Sequence, residues 1–142
     1  MAFRRILVTT DLSERGNQAL RVASELAGTL GAHLTLLYVQ ESTLSFVDGV
    51  LPHDDHRKPV DLAPKLEKKL RESAAAVGCE PDAFAVVHDA SPVEGILAHA
   101  QAHDIDLIVI ATQGRSGLQR LLIGSTTERV VRHAECAVLT VR

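Results

Sequence analysis

The residues best suited to chemistry lie between Leu107 and Val131. An apolar run, Leu107-Ile108-Val109-Ile110-Ala111, gives way to Thr112-Gln113-Gly114-Arg115-Ser116-Gly117. After Leu118 to Ile123 come Gly124-Ser125-Thr126-Thr127 and an amphipathic helical pattern. A buried strand thus feeds a glycine-containing loop, and Gly-Ser stands where a second helix begins. Backbone N–H groups at a helix start have no intrahelical acceptor, and the macrodipole adds about half a positive charge there. The chemistry this offers is anion binding, above all phosphate. Gly114 lets the backbone approach a phosphate with no Cβ in the way, and the Ser125 hydroxyl can donate to a phosphate oxygen. Taken singly, the two glycines have a plainer reading, Gly114 as a turn and Gly124 as a helix terminator.

A second candidate group is Thr9-Thr10-Asp11, at the end of the first apolar run. A carboxylate there can accept two hydrogen bonds, from ribose hydroxyls or from an adenine amine. The plainer reading is an aspartate that caps the first turn of the next helix. Both groups follow strands, and in open parallel sheets ligands gather beyond the carboxyl ends of the strands, where the winding reverses. Other chemistries find less support. The chain has no GxxxxGKS/T loop, and its first strand is not followed by GxGxxG, so neither a P-loop nor a dinucleotide fingerprint is present. Receiver domains carry paired acids at the end of the first strand, whereas Asp11 follows two threonines. His53-Asp54-Asp55-His56 contains metal-ligand types, but it sits in a polar stretch beside Pro52 and Pro59 and reads as a solvated loop. His33, His88, His99, His103 and His133 read as single surface or satisfied residues near element ends. Arg115 is placed to counter phosphate charge, while Arg120 reads as part of a solvated face.

The elements that must position these groups follow from periodicity. Ile6 to Thr10 is a short β-branched run suited to a strand buried on both faces. Ser13 then caps a helix whose apolar positions Leu20, Ala23, Leu26, Ala27 and Leu30 share one face, and Gly31 stops it. Leu34 to Val39 is the second strand. Periodicity is lost from about Gln40 to Asp61, the one long loop. A helix starts near Asp61 with Pro64 in its first turn and ends at Gly78. Ala83 to His88 is the third strand. Ser91-Pro92-Val93-Glu94 combines a capping box with proline at the first helical position, predicting a helix to about Ala102. Leu107 to Ala111, Thr126 to His133 and Ala137 to Val141 complete the series. The alternation predicts an α/β fold: a single-domain, open, five-stranded parallel sheet over 1–142, Rossmann-like, with helices on both faces.

Composition sets the outer bounds. At 142 residues, 46% hydrophobic and 23% charged, the chain is long enough for one packed core. Aromatics are 3% and Trp is absent, so the core is aliphatic and base-stacking surfaces are not expected. The net charge of −3 and the absence of a Lys/Arg block argue against nucleic-acid binding. No apolar run is long enough to span a membrane, and no signal-peptide core follows Met1, so a cytoplasmic location is expected. Cys79 and Cys136 are too far apart for a CxxC pair and read as plain thiols.

The whole chain resembles the universal stress protein family. The resemblance is carried by Thr9-Thr10-Asp11-Leu12-Ser13, Leu36-Leu37-Tyr38-Val39 and Asp106 to Ile110. It is carried most of all by Gly114-Arg115-Ser116-Gly117-Leu118 through Leu121-Leu122-Ile123-Gly124-Ser125, then Glu128 to Val131 and Val138-Leu139. In the ATP-binding branch the motif is Gly, two residues, Gly, nine residues, Gly, then Ser or Thr. Its second and third glycines fall on Gly114 and Gly124, and its hydroxyl residue on Ser125. Its first falls on Ala111, a departure that sets a methyl toward the ribose or α-phosphate. The resemblance implies ATP as ligand, with Mg2+ as companion and AMP or ADP as alternatives. It also implies adenosine contacts from Thr9, Thr10, Asp11 and the Val39 backbone, and phosphate contacts from Ala111, Gly114, Arg115, Gly124, Ser125 and Thr126. A homodimer through the last strand, a stress-response regulatory role and an unidentified protein partner are further implications. A nucleotide-free interaction module and a slow ATPase remain as alternatives; no catalytic or metal-ligating residue stands out.

Overall fold

A computed structural model of the chain describes residues 2–41, 63–112 and 123–142. Gly114, Arg115 and Arg120, the His53 to His56 cluster and nearly all of the long loop lie outside the described residues. The elements are β1 (Arg5–Thr9), α1 (Glu14–Leu30), β2 (His33–Glu41), α2 (Ala63–Ala76), β3 (Ala83–Asp89), α3 (Pro92–Ala102), β4 (Leu107–Ala111), α4 (Ser125–His133) and β5 (Ala137–Val141). They form one parallel sheet with strand order β3-β2-β1-β4-β5. The predicted α/β architecture is therefore the observed one.

The sheet forms where it does because its central strands are aliphatic on both faces. In β1 only Arg5 is exposed, and Val8 stands in register with Leu36 of β2 and Val109 of β4. Alternation then divides the side chains. Ile6, Val8, Leu36 and Val109 pack under Ala19, Leu20 and Ala23 of α1 and Leu70 and Ala74 of α2. Leu7, Leu37, Ile108 and Ile110 pack under Val93, Ile96 and Ala100 of α3 and Val130 of α4. Two aspartates fasten the amino ends of the strands. Asp106 accepts from the backbone N–H of Arg4 at 2.9 Å and of Arg5 at 3.1 Å, and Asp82 accepts from that of Leu34 at 2.8 Å. These contacts tie the amino edge together and leave the carboxyl edge for other uses.

Helix boundaries follow local chemistry, with one correction. Ser13 caps α1, its hydroxyl accepting from the Gly16 N–H at 3.3 Å, and Gly31 ends the helix at φ 64°. Ser13→Ala should lower the unfolding free energy by about 1 kcal/mol in urea denaturation; an unchanged midpoint would show the cap to be idle. Ser91 occupies the N-cap of α3 but makes no side-chain cap bond, so the predicted capping box does not close. Asp89 takes over locally, its carboxylate accepting from the Ser91 N–H at 3.2 Å, and Pro92 suffices to fix the first helical φ.

The remaining side chains hold one more surprise. His99 and His103, expected to stand singly, stack on each other at the end of α3, because a spacing of four residues brings them to one helix face. Cys79 is buried, Cys136 is half-buried, and both are free thiols; burial pushes the Cys136 thiol pKa up, which favours the thiol over the thiolate. Among the described residues no helix is long and apolar enough to cross a membrane.

Candidate functional site

The strand order places the reversal of winding between β1 and β4: the chain steps outward from β1 through β2 to β3, then returns to β4 on the other side. Beyond the carboxyl ends of these strands opens a cleft of about 460 Å3. Thr9, Thr10, Asp11, Val39, Ala111, Gly124, Ser125 and Thr126 all line it. These are eight of the ten expected site residues, and the other two, Gly114 and Arg115, lie outside the described residues.

The first wall is the turn between β1 and α1. The Thr10 N–H donates to the Leu37 carbonyl at 3.0 Å, extending the β1–β2 ladder one step past the strand. The Thr10 hydroxyl oxygen then accepts from the Leu12 N–H at 3.0 Å. Asp11 Oδ1 accepts from the Ser13 N–H at 2.9 Å and from the Ser13 hydroxyl. The helix-entry reading of Asp11 is thus correct as far as it goes, yet its half-buried carboxylate also borders the cleft. Leu12, between them, has φ 66°, a left-handed conformation that a leucine adopts only under constraint from its surroundings. Gly16 completes this wall from the first turn of α1. A Cβ there would lie 2.5 Å from the Thr10 hydroxyl oxygen and 3.4 Å from Asp11 Oδ1, so the turn seats directly on a glycine backbone.

The opposite wall is the start of α4. The Gly124 N–H donates to the Thr112 carbonyl at 2.6 Å, and the Thr112 N–H donates to the Val141 carbonyl at 2.8 Å. The buried Thr127 hydroxyl donates to the Ala111 carbonyl at 2.7 Å, locking the first turn of α4 to the end of β4. The first helical bond runs from the Glu128 N–H to the Gly124 carbonyl at 2.9 Å. The amides of Ser125, Thr126 and Thr127 precede it and project from the helix start. Gly124, a glycine, supplies no side-chain cap to this end. Ala111 is strand backbone in register with Val141, and the only positive-φ non-glycine residues among those described are Leu12 and Asp104. The alanine at the first motif position therefore costs no backbone strain.

The third side is the end of β2. Its pairing with β1 stops at Leu37, whereas its pairing with β3 runs on to Glu41. The β1-facing edge of Val39, Gln40 and Glu41 consequently borders the cleft instead of a strand. Pro92 and Ile96 of α3 add an apolar floor. Gly16, Gln40, Glu41, Pro92, Ile96 and Thr127 escaped sequence reasoning. For Thr127 the tandem Thr126-Thr127 was the available signal; the others enter through strand order and helix packing. The charged groups on the described lining are two carboxylates, Asp11 and Glu41.

A cleft with hydroxyl and carboxylate groups on one strand end and a helix start on the next can hold an extended, partly anionic ligand. Comparison with known proteins fits this arrangement. The model of the Universal stress protein family matches residues 2–142, and a universal stress protein of Bacillus subtilis, YxiE, is 30% identical over 99% of both chains. The chain belongs to the universal stress protein family. Among solved structures it is similar to the universal stress protein UspA from Lactobacillus plantarum, with 29% identity, a TM-score of 0.68, and coverage of 100% of this chain and 99% of that one. The universal stress protein from Archaeoglobus fulgidus in complex with dAMP shares the fold at 21% identity and a TM-score of 0.66, each chain covered in full. This universal stress protein thus places its described motif residues around one cleft at the winding reversal of its sheet.

Proposed function

We propose that this universal stress protein is a cytoplasmic, homodimeric stress-response regulator that binds ATP across the carboxyl ends of β1 and β4. The observation that carries the reading is the convergence of Asp11 and the α4 start on opposite sides of one cleft at the winding reversal. In this reading Asp11, with Thr9 and Thr10, holds the ribose or adenine, and the open edge of Val39 reads the base. Gly124, Ser125 and Thr126, with Gly114 and Arg115, surround the phosphates. The relative solved with dAMP supports an adenine nucleotide as the ligand class. Asp11 and Glu41 bring negative charge to the described lining, so a divalent cation such as Mg2+ is the companion that lets a triphosphate enter. ATP affinity is accordingly expected to fall on chelation of Mg2+ while AMP affinity stays level; equal responses would argue against the companion cation.

The test of the reading is calorimetric titration of the full chain with ATP, ADP and AMP. Asp11→Ala should weaken ATP and AMP alike, by several-fold, because the lost contact is to the shared adenosine. Ser125→Ala should weaken ATP more than AMP. Equal losses for both ligands in both variants would overturn this division of roles. Absence of binding by the unmodified protein would favour an interaction module, and steady phosphate release over hours a slow ATPase.

A further inference from the structure

His99 in the last turn of α3 and His103 at its C-cap stack their rings with centroids 3.9 Å apart and planes 18° from parallel. Nδ1 of His103 lies 3.0 Å from the His99 carbonyl oxygen. A carbonyl only accepts, so that nitrogen is the donor, and in the neutral ring this tautomer leaves Nε2 as the ligating atom. The same carbonyl accepts the His103 backbone N–H at 3.1 Å, which pins ring and backbone to one point. Metal-ligating histidines are held in this way, one ring N–H on a backbone carbonyl and the other nitrogen bare. His99 is half-buried against the helix, while His103 is exposed. Both rings stand at the negative end of the α3 dipole, which favours a cation.

We propose that His99 and His103 form a two-imidazole site for a divalent transition-metal ion of the nickel, copper or zinc class. Imidazole suits these ions, and histidines four residues apart on one helix face are a recurrent chelating pair. Two cis ligands at about 2.0–2.1 Å stand roughly 3 Å apart, within reach of stacked rings after a small side-chain rotation. Among the described residues no group of three ligating side chains occurs, and in this proposal water supplies the remaining ligands. Asp104, next in the chain, is directed toward Arg5 with its carboxylate 3.8 Å from the guanidinium and is not a third ligand in this arrangement. Neither histidine lines the cleft at the carboxyl ends of the strands, so the pair stands independently of the nucleotide reading.

The experiment is titration of the full chain with nickel chloride, followed by calorimetry and by NMR of the histidine side chains. Nickel is chosen over copper, which would oxidise the two free thiols. One ion should bind per chain, with paramagnetic broadening centred on His99 and His103. His103→Gln, at an exposed position, and His99→Gln should each weaken binding about tenfold, while the His53→Gln/His56→Gln double variant leaves it unchanged. Helix content by circular dichroism controls for damage to α3 in His99→Gln. Broadening centred on other histidines, or unchanged affinity in His103→Gln, would overturn the site.

Discussion

Gly124→Val should lower ATP affinity ten- to hundredfold, about 1.4–2.7 kcal/mol, and leave the chain folded. Gly124 sits at φ −56° and ψ 151°, a conformation open to any residue, so the backbone is not strained by the change. Its surroundings are the obstacle. A Cβ there lies 3.2 Å from the Thr112 carbonyl oxygen, the same oxygen that the Gly124 N–H grips at 2.6 Å. Relief of that contact loosens the bond holding the start of α4 to the end of β4. The two γ-methyls, meanwhile, spread over the amides of Ser125 and Thr126 that the phosphates are proposed to meet. The core under β4 and α4 is untouched, since Ile108, Val109 and Val130 pack away from the rim. Calorimetry gives the affinity and far-ultraviolet circular dichroism the fold; unchanged ATP affinity in a folded variant would remove Gly124 from the cradle. Gly124→Ala serves as the intermediate case, its lone methyl pressing on Thr112 without reaching over the amides.

How far the sequence reveals such a site depends on the range of the interactions involved. Strands and helices were legible because alternation and helical spacing are written locally: Ile6 to Val8 could belong only to a strand buried on both faces, and Leu20, Ala23 and Ala27 only to one helix face. Ser13 as a cap and Gly31 as a stop were legible for the same reason. Gly16 was not, since its role arises only when the turn after β1 folds back on α1 and the Thr10 hydroxyl meets its backbone. Nor was the left-handed Leu12, a residue type with no preference for that conformation. The open edge of Val39 to Glu41 depends on β1 ending earlier than β3, a fact about two partners and not about β2. The pairing of His99 with His103 is written in their four-residue spacing, which brings both to one side of α3. At Ser91 the converse happened: the local pattern promised a capping box, and Asp89 supplied the bond instead.

The unmodified protein should scatter light as a dimer at micromolar concentration, with twice the 15.3 kDa mass of one chain, and Thr140→Lys should raise the dissociation constant roughly a hundredfold, about 2.7 kcal/mol. Among the described residues β5 is an edge strand, paired with β4 alone. An apolar edge invites pairing unless it is charged, covered or interrupted, and Ala137-Val138-Leu139-Thr140-Val141 contains neither a charge nor a proline. Of the four large apolar side chains exposed among the described residues, three lie on neighbouring elements of the chain: Ile123 before α4 is 50% exposed, Val131 on α4 47% and Leu139 on β5 36%, while Leu30 at the end of α1 stands apart. Antiparallel pairing of β5 with its copy extends the sheet across a twofold axis and satisfies the outer backbone groups of both strands. Thr140 is exposed, so lysine there leaves the core intact yet sets two like charges near the axis, where close like charges oppose pairing. Substitution of Val138 or Leu139 would be less telling, because Val138 also packs against the α3–α4 core. A monomer at micromolar concentration would sink the dimer outright; a dimer indifferent to the lysine would move the interface away from β5.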